Sequence, residues 1–325
     1  MGEKDRNGGE GEAGAADWPE QLAVRIAWCY YSLGLTQQEI ASRLGLTRVR
    51  VNRLLAEARR RGIVKITITS RLAENVELEE ELKTRYGLAN ARVVLAMGDE
   101  IAIAETLGAA GAEMLAGDFR DGTTIGMGWG VTLRAFADAV PERALADAAV
   151  VAMMGSLTQR SSINRFVAAT VLAHRLQAEC FYVPGPIICD SEESRRTLES
   201  QPLMREVQER AARADIAIVS VGGLDSGTLH QAGFIDEVEL KSVRQAGALG
   251  NFLGHYIDTR AQIIDHPINC RVLGMRPDRL KSFERCVMIS GGEMKVPALR
   301  AILNAGLVTD IVTDQASARS LLEPD

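Results

Sequence analysis

The sequence is poor in the residues from which metal centres and disulfide frameworks are built. Its 325 residues include 5 Cys and 4 His. The cysteines (Cys29, Cys180, Cys189, Cys270 and Cys286) are odd in number and show no CxxC spacing. That argues against zinc ligation and a disulfide scaffold, and favours a reducing cytoplasm. The histidines (174, 230, 255 and 266) are scattered without an HxxxH spacing, so no metal is expected. A GxSxG elbow and a Cys/His set are missing too, so no catalytic residue is assigned and no cofactor is expected. Apolar runs stay well short of the ~20 residues of a membrane span, and the first residues lack a signal peptide's apolar core. The expectation is a cytoplasmic protein with no membrane partner. What remains is 46% hydrophobic and 25% charged, the balance of a globular chain whose length suggests two domains.

Positive charge is also in deficit, with 37 Lys and Arg against 43 Asp and Glu and a net charge of -6. Taken as a whole, that argues against nucleic acid. The distribution of the charge points the other way. Residues 37–61 carry seven Arg against two Glu, a local +5, which leaves -11 on the other 300 residues.

The order of textures divides the chain. Residues 1–17 are rich in Gly and Glu and read as a disordered leader. Residues 18–70 read as a small all-α head, 71–90 as an acidic linking helix, and 91–325 as a larger α/β domain. In that last part short apolar runs (91–97, 123–128, 148–154, 180–184, 215–223, 286–292 and 308–314) alternate with helical segments such as 162–176 and 294–306. Strands apolar throughout, each followed by a helix, imply a mainly parallel sheet covered on both faces.

The basic island reads as two helices and a tight turn. Thr36 with Glu39 forms a capping box, Ile40, Ala41 and Leu44 lie inward, and Gly45 ends the first helix. Thr47 caps the second, which turns Val51, Leu54 and Leu55 inward. This shape places its second helix in the DNA major groove. Arg48, Arg50, Asn52 and Arg53 fall in the first two turns. Arg can grip guanine O6 and N7, and Asn can grip adenine N6 and N7. With Gln37 and Thr47 they are the candidate DNA contacts, while Arg59, Arg60 and Arg61 suit phosphates or the helix dipole. The following IVKITIT (63–69) reads either as a wing, with Lys65 at a phosphate, or as a plain edge strand.

In the larger domain three glycine-bearing turns follow apolar runs. The turn at 123–132 offers Gly126, Gly128 and Gly130 before a helix, with Thr123, Thr124 and Thr132 as hydroxyl donors and Trp129 as a flat face for a sugar ring. Its spacing is neither a Walker loop nor GxGxxG, and a purely structural turn explains it equally well. Gly291 and Gly292 precede Lys295 in a second turn, and Gly222 lies in a third. Ligands in open α/β sheets lie beyond the carboxyl ends of the strands, so these turns could converge. Asp258 is a further candidate, although an Asp at a strand end is more often a cap.

Together these motifs resemble the SorC (SorC/DeoR) family of bacterial sugar-binding transcriptional regulators. The likeness runs from about residue 20 to the end, through QQEIASRLGLTRVRVNRLLAEARRRGIV, TIGMGWGVT, VPGPIICDSEE, ADIAIVSVGG, GNFLGHYID and ISGGEMKVPALRAIL. It implies a helix-turn-helix head on operator DNA and an effector domain with an isomerase/deaminase-like fold. It also implies a sugar, polyol or phosphosugar effector and a homodimer or homotetramer. By position it puts Thr123, Thr124, Gly126, Gly128, Trp129, Gly130, Thr132, Asp258, Gly291, Gly292 and Lys295 at the effector. Two departures stand out: Met154-Gly155-Ser156 replaces a polar Asn-Gly-Gly, and Gly250-Asn251-Phe252 replaces Gly-Asp-Ile. A less charged pocket admits an unphosphorylated ligand. The competing expectation is a sugar-phosphate isomerase or deaminase carrying a DNA-binding head.

Overall fold

Strands that are apolar along their whole length are stable only where both faces of their sheet are covered. All seven apolar runs enter one such sheet. The computed structural model describes residues 18–64, 73–156, 168–224, 228–231 and 233–324. The chain divides into two compact units at Thr69/Ser70.

The first unit is a packed trio of helices, Trp18–Tyr31, Gln37–Leu44 and Arg48–Arg60. Ile26 and Cys29 from the first, Ile40 and Ala41 from the second and Val51, Leu54, Leu55 and Ala58 from the third form its core. Positions 51, 54, 55 and 58 repeat at the i, i+3, i+4, i+7 spacing of one helical face. The Thr36–Glu39 capping box is present, and Gly45 takes the left-handed conformation at φ 64°. Ile63 and Val64 pack on the same core. The rest of the expected strand, Lys65 included, lies outside the described residues.

Among the described residues the second unit contains ten strands: β1 (Asn90–Val94), β2 (Thr124–Met127), β3 (Ala149–Ala152), β4 (Glu179–Phe181), β5 (Ile216–Val219), β6 (Val221–Gly223), β7 (Gly250–Phe252), β8 (His255–Ile257), β9 (Arg285–Ile289) and β10 (Asp310–Asp314). Seven of them form the main sheet in the order β1-β10-β9-β5-β2-β3-β4. Every neighbouring pair is parallel. Helices cover both faces. Leu107, Leu133, Phe136 and Leu172 belong to one core cluster, and Val207, Leu299, Ile302 and Leu321 to the other.

The winding places the functional region. From β2 the chain moves out through β3 to β4, returns to β5 on the other side of β2, and continues to β9 and β10. Adjacent strands whose connections leave in opposite directions open a crevice at their carboxyl ends. Here that point is between β2 and β5.

Two features go beyond the sequence reading. The acidic stretch forms the helix Ala73–Tyr86, which belongs to the second unit. Leu78 and Leu82 are buried in its core, the Val93 N–H donates to Glu79 Oε1 at 2.8 Å, and the Tyr86 hydroxyl donates to the Leu321 carbonyl at 2.6 Å. The second feature is a small antiparallel sheet, β6-β7-β8. Its strands are three residues each, too short for alternation to register, so GNFLGHYID reads as one run. Leu253 and Gly254, both at positive φ, form its two-residue hairpin.

Candidate nucleic-acid interface and effector cleft

The outward side of the helix Arg48–Arg60 carries the DNA-type chemistry. Arg48, Arg50, Asn52 and Arg53 are exposed on its first two turns, and Gln37 is half-buried at the start of the preceding helix. The guanidinium groups of Arg48, Arg50 and Arg53 make no ion pair among the described residues. Gln37 Nε2 donates to Asn52 Oδ1 at 3.4 Å, so two of the expected contacts touch. The Thr47 hydroxyl accepts from the Arg50 N–H at 3.2 Å and is thereby occupied as an N-cap. Arg61, which closes the helix, pairs with Glu20 at 2.8 Å and so ties the third helix to the first. Val49, unnoticed in the sequence, is 80% exposed between Arg48 and Arg50. An apolar side chain bared at that point suits a thymine methyl.

In the second unit a cleft opens at the crevice beyond β2 and β5. Trp129 and Gly130 line it from the turn after β2, Val131 and Thr132 from the start of the helix that follows, and Ser220, Val221 and Gly222 from the passage of β5 into β6. Met154 lies beyond β3, Asn251 and Leu253 come from the hairpin, and Lys295 follows β9. Glu100 completes the wall. Trp129, Gly130, Thr132, Gly222 and Lys295, drawn from three segments, are therefore brought together as expected neighbours.

Local physics explains the donors that the cleft presents. Gly130, at φ 128°, begins the helix Val131–Ala139 without a side-chain cap, so its first N–H groups lack that partner. Asn251 Nδ2 is buried and makes no hydrogen bond among the described residues. Lys295 is only 8% exposed, and its Nζ lies 3.0 Å from Glu100 Oε1.

Other expected site residues stand elsewhere. Thr123 and Thr124 lie at the opposite end of β2, where the Arg120 N–H donates to Thr123 Oγ1 at 3.1 Å and the Thr124 N–H to Asp215 Oδ2 at 2.8 Å. Asp258 Oδ1 accepts the N–H groups of Arg260 and Gln262, each at 2.8 Å, so this carboxylate fixes its own loop. Gly126 and Gly128 are buried against Met153 and Leu133. Gly291 does permit a close approach, but to Asp314 of the chain itself: a Cβ there would sit 2.2 Å from Asp314 Oδ2. The Gly292 N–H donates to the same carboxylate at 2.8 Å. That donor, expected for an anion, is satisfied internally.

Glu100, Asn251, Met154 and Leu253 line the cleft without having been assigned to it from sequence. Asn251 and Met154 had shown themselves as departures from the family pattern. Glu100 follows Asp99, the N-cap of the helix Glu100–Leu115, and nothing in its surroundings signals a partner 195 positions away.

Comparison with known proteins fits both halves. A sugar-binding domain family model matches residues 70–323, and a Crp-like helix-turn-helix model matches residues 21–76. The crystal structure of the full-length sorbitol operon regulator SorC from Klebsiella pneumoniae superposes with a TM-score of 0.72 at 26% identity, covering 95% of this chain and all of that one. The chain belongs to the SorC family of sugar-binding transcriptional regulators. Within this family, the erythritol catabolism regulatory protein EryD of Brucella abortus (strain 2308) is 31% identical over 310 residues, 94% of this chain and 98% of that protein. The transcriptional regulator LsrR of Enterobacter sp. (strain 638) is 31% identical over 322 residues, 95% of each chain. The head of this SorC-family regulator is its DNA-binding part, and the parallel-sheet unit its sugar-binding part.

Proposed function

We propose that this regulator controls a carbohydrate or polyol catabolic operon by binding a small polyhydroxylated effector in the cleft between the turns after β2, β5 and β9. The convergence of Trp129, Gly130, Thr132, Gly222 and Lys295 carries the reading. It supplies a flat aromatic face, a hydroxyl, uncapped backbone donors and a cation at the switch point of a parallel sheet, the place where such folds take ligands. The relatives' own names, which mention erythritol catabolism and a sorbitol operon, support the same class of effector.

The DNA reading rests on Gln37, Arg48, Arg50, Asn52 and Arg53, with Thr47 holding the start of their helix. The protein acts as a homodimer or homotetramer, which sets two recognition helices about 34 Å apart on a two-fold operator. The effector then shifts occupancy by binding the oligomer's conformations unequally, since only differential affinity moves an equilibrium. The enzyme alternative has little to use. Among the described residues, the one carboxylate in the cleft lining, Glu100, is held by Lys295 and is not a free base for proton abstraction.

Titrating a selected operator against salt, with and without a panel of sugars and polyols, tests the reading. Log affinity should fall with log salt by about 0.9 for each phosphate neutralised. At least one panel member should change operator affinity and raise the melting temperature. A flat salt dependence overturns the DNA assignment. Turnover of sugar phosphates would restore the enzyme.

A further inference from the structure

We infer that Glu100 is the residue that selects an uncharged polyhydroxylated effector over its phosphate ester. This rests on the reading of the cleft as the effector site. Among the described residues, Lys295 and Glu100 are the charged side chains of the cleft lining, and they face each other at 3.0 Å. The described lining thus presents no net cation. A phosphate monoester brings close to two negative charges and needs charge-assisted donors to replace its water. Placed on Lys295, it would either lie against the Glu100 carboxylate or expel it, leaving that carboxylate facing the ester.

An independent observation points the same way. The turn after β9 has the form of an anion cradle, yet its Gly292 N–H donates to Asp314 Oδ2 at 2.8 Å and to Ser317 Oγ at 2.9 Å. Asp314 is itself buried and serves as the N-cap of the helix Gln315–Leu322. Among the described residues, the donors left open are neutral: Asn251 Nδ2 and the uncapped start of the helix Val131–Ala139. Neutral donors beside one acceptor-rich carboxylate suit hydroxyl groups, which both donate and accept. Glu100 is a specificity device of the repulsive kind, built against the charged relative of the true ligand.

The experiment uses the full chain and its Glu100→Gln variant in thermal-shift and calorimetric titrations. The probes are erythritol, ribitol, sorbitol and free hexoses, their monophosphate esters, and inorganic phosphate. In the wild type, a neutral polyol or sugar should bind at least about tenfold more tightly than its ester. Glu100→Gln, which keeps the shape and removes the charge, should strengthen inorganic phosphate binding about tenfold and shift the ester-to-polyol affinity ratio about tenfold toward the ester. Glu100 is the counter-ion of the buried Lys295, so each protein's ligand shifts are read against its own unliganded melting temperature. An ester that binds the wild type as tightly as the free polyol, or a ratio unmoved by Glu100→Gln, overturns the inference and leaves the effector cleft standing. If neither form of the protein binds any probe, the effector reading itself fails, and the inference with it.

Discussion

Gln37 and Asn52 come from different helices, yet Gln37 Nε2 donates to Asn52 Oδ1 at 3.4 Å on the exposed side of the DNA-binding head. An amide that reads adenine must offer its oxygen and nitrogen in one orientation, and a neighbouring donor at the oxygen favours that orientation. Asn52→Ala should therefore lower operator affinity by about 1–3 kcal/mol, with the loss confined to one adenine. Gln37→Ala should give a smaller loss at the same base pair. Fluorescence anisotropy on operators substituted base by base measures both. A loss spread evenly over all sequences would make the pair a backbone contact instead.

The arginines of the same head should behave differently according to their partners. Arg53 is exposed and unpaired among the described residues, so Arg53→Ala should weaken operator binding without unfolding the head. Arg61 is tied to Glu20 at 2.8 Å, with both side chains well exposed. Arg61→Ala should then change the head's stability by no more than about 1 kcal/mol. Affinity and thermal melting of the two variants separate these roles. Unchanged operator binding in Arg53→Ala would remove the helix from the interface.

Val49 gives a test at the level of one methyl group. If its exposed side chain covers a thymine methyl, replacing that thymine by uracil should cost about 0.8 kcal/mol, the worth of one buried carbon. Val49→Ala should be indifferent to the exchange. Equal sensitivity in both proteins would leave Val49 without a base.

Gly291 and Asp314 make the turn after β9 a structural unit. A Cβ at Gly291 meets Asp314 Oδ2 at 2.2 Å and Leu107 Cδ1 at 3.0 Å, so Gly291→Ala should destabilise the sugar-binding unit by about 1–3 kcal/mol. Asp314→Ala removes the N-cap and leaves the Gly292 N–H with Ser317 Oγ as its remaining acceptor, at a cost of about 1–3 kcal/mol. Urea unfolding of the full chain reads both. Wild-type stability in either variant would free this turn for another role.

His255 makes the stability depend on pH. It is 4% exposed, and burial, with the nearby charges of Arg276 and Arg195 adding to it, lowers its pKa from 6.5 to about 4. The fold keeps it neutral while the unfolded chain takes up a proton below 6.5. Stability from this residue is thus complete above pH 6.5 and lost as pH falls toward 4. Between pH 7.5 and pH 5 the loss should be about 2 kcal/mol. His255→Gln should flatten that slope, and urea titrations at the two pH values check it. A wild-type slope retained by the variant would assign the dependence to other groups.

Much of the head was legible because its signals are local. The Thr36–Glu39 capping box, the left-handed Gly45 and the 51, 54, 55, 58 stripe each act within one or two helical turns. The central sheet strands were legible for a similar reason, since a strand such as Ile216–Val219 is buried and apolar at every position. The small hairpin sheet was hidden by its three-residue strands. In the site, Trp129, Gly130, Thr132, Gly222 and Lys295 could be chosen from glycine turns at strand ends. Thr123 and Thr124 were chosen by proximity in sequence, and a strand carries such neighbours about 3.3 Å apart per residue toward its far end.

The sequence by itself determined the two kinds of unit, the basic helix and the set of strands, because periodicity, capping and charge density are short-range properties. The tertiary structure alone decided which turns meet. Strand order puts the crevice between β2 and β5, brings Glu100 onto Lys295 across 195 positions and turns Gly292 toward Asp314. Those pairings follow from how parallel strands are wound into one sheet, and no local pattern carries that information. They also set a carboxylate beside Lys295, the cation that the sequence offered alone.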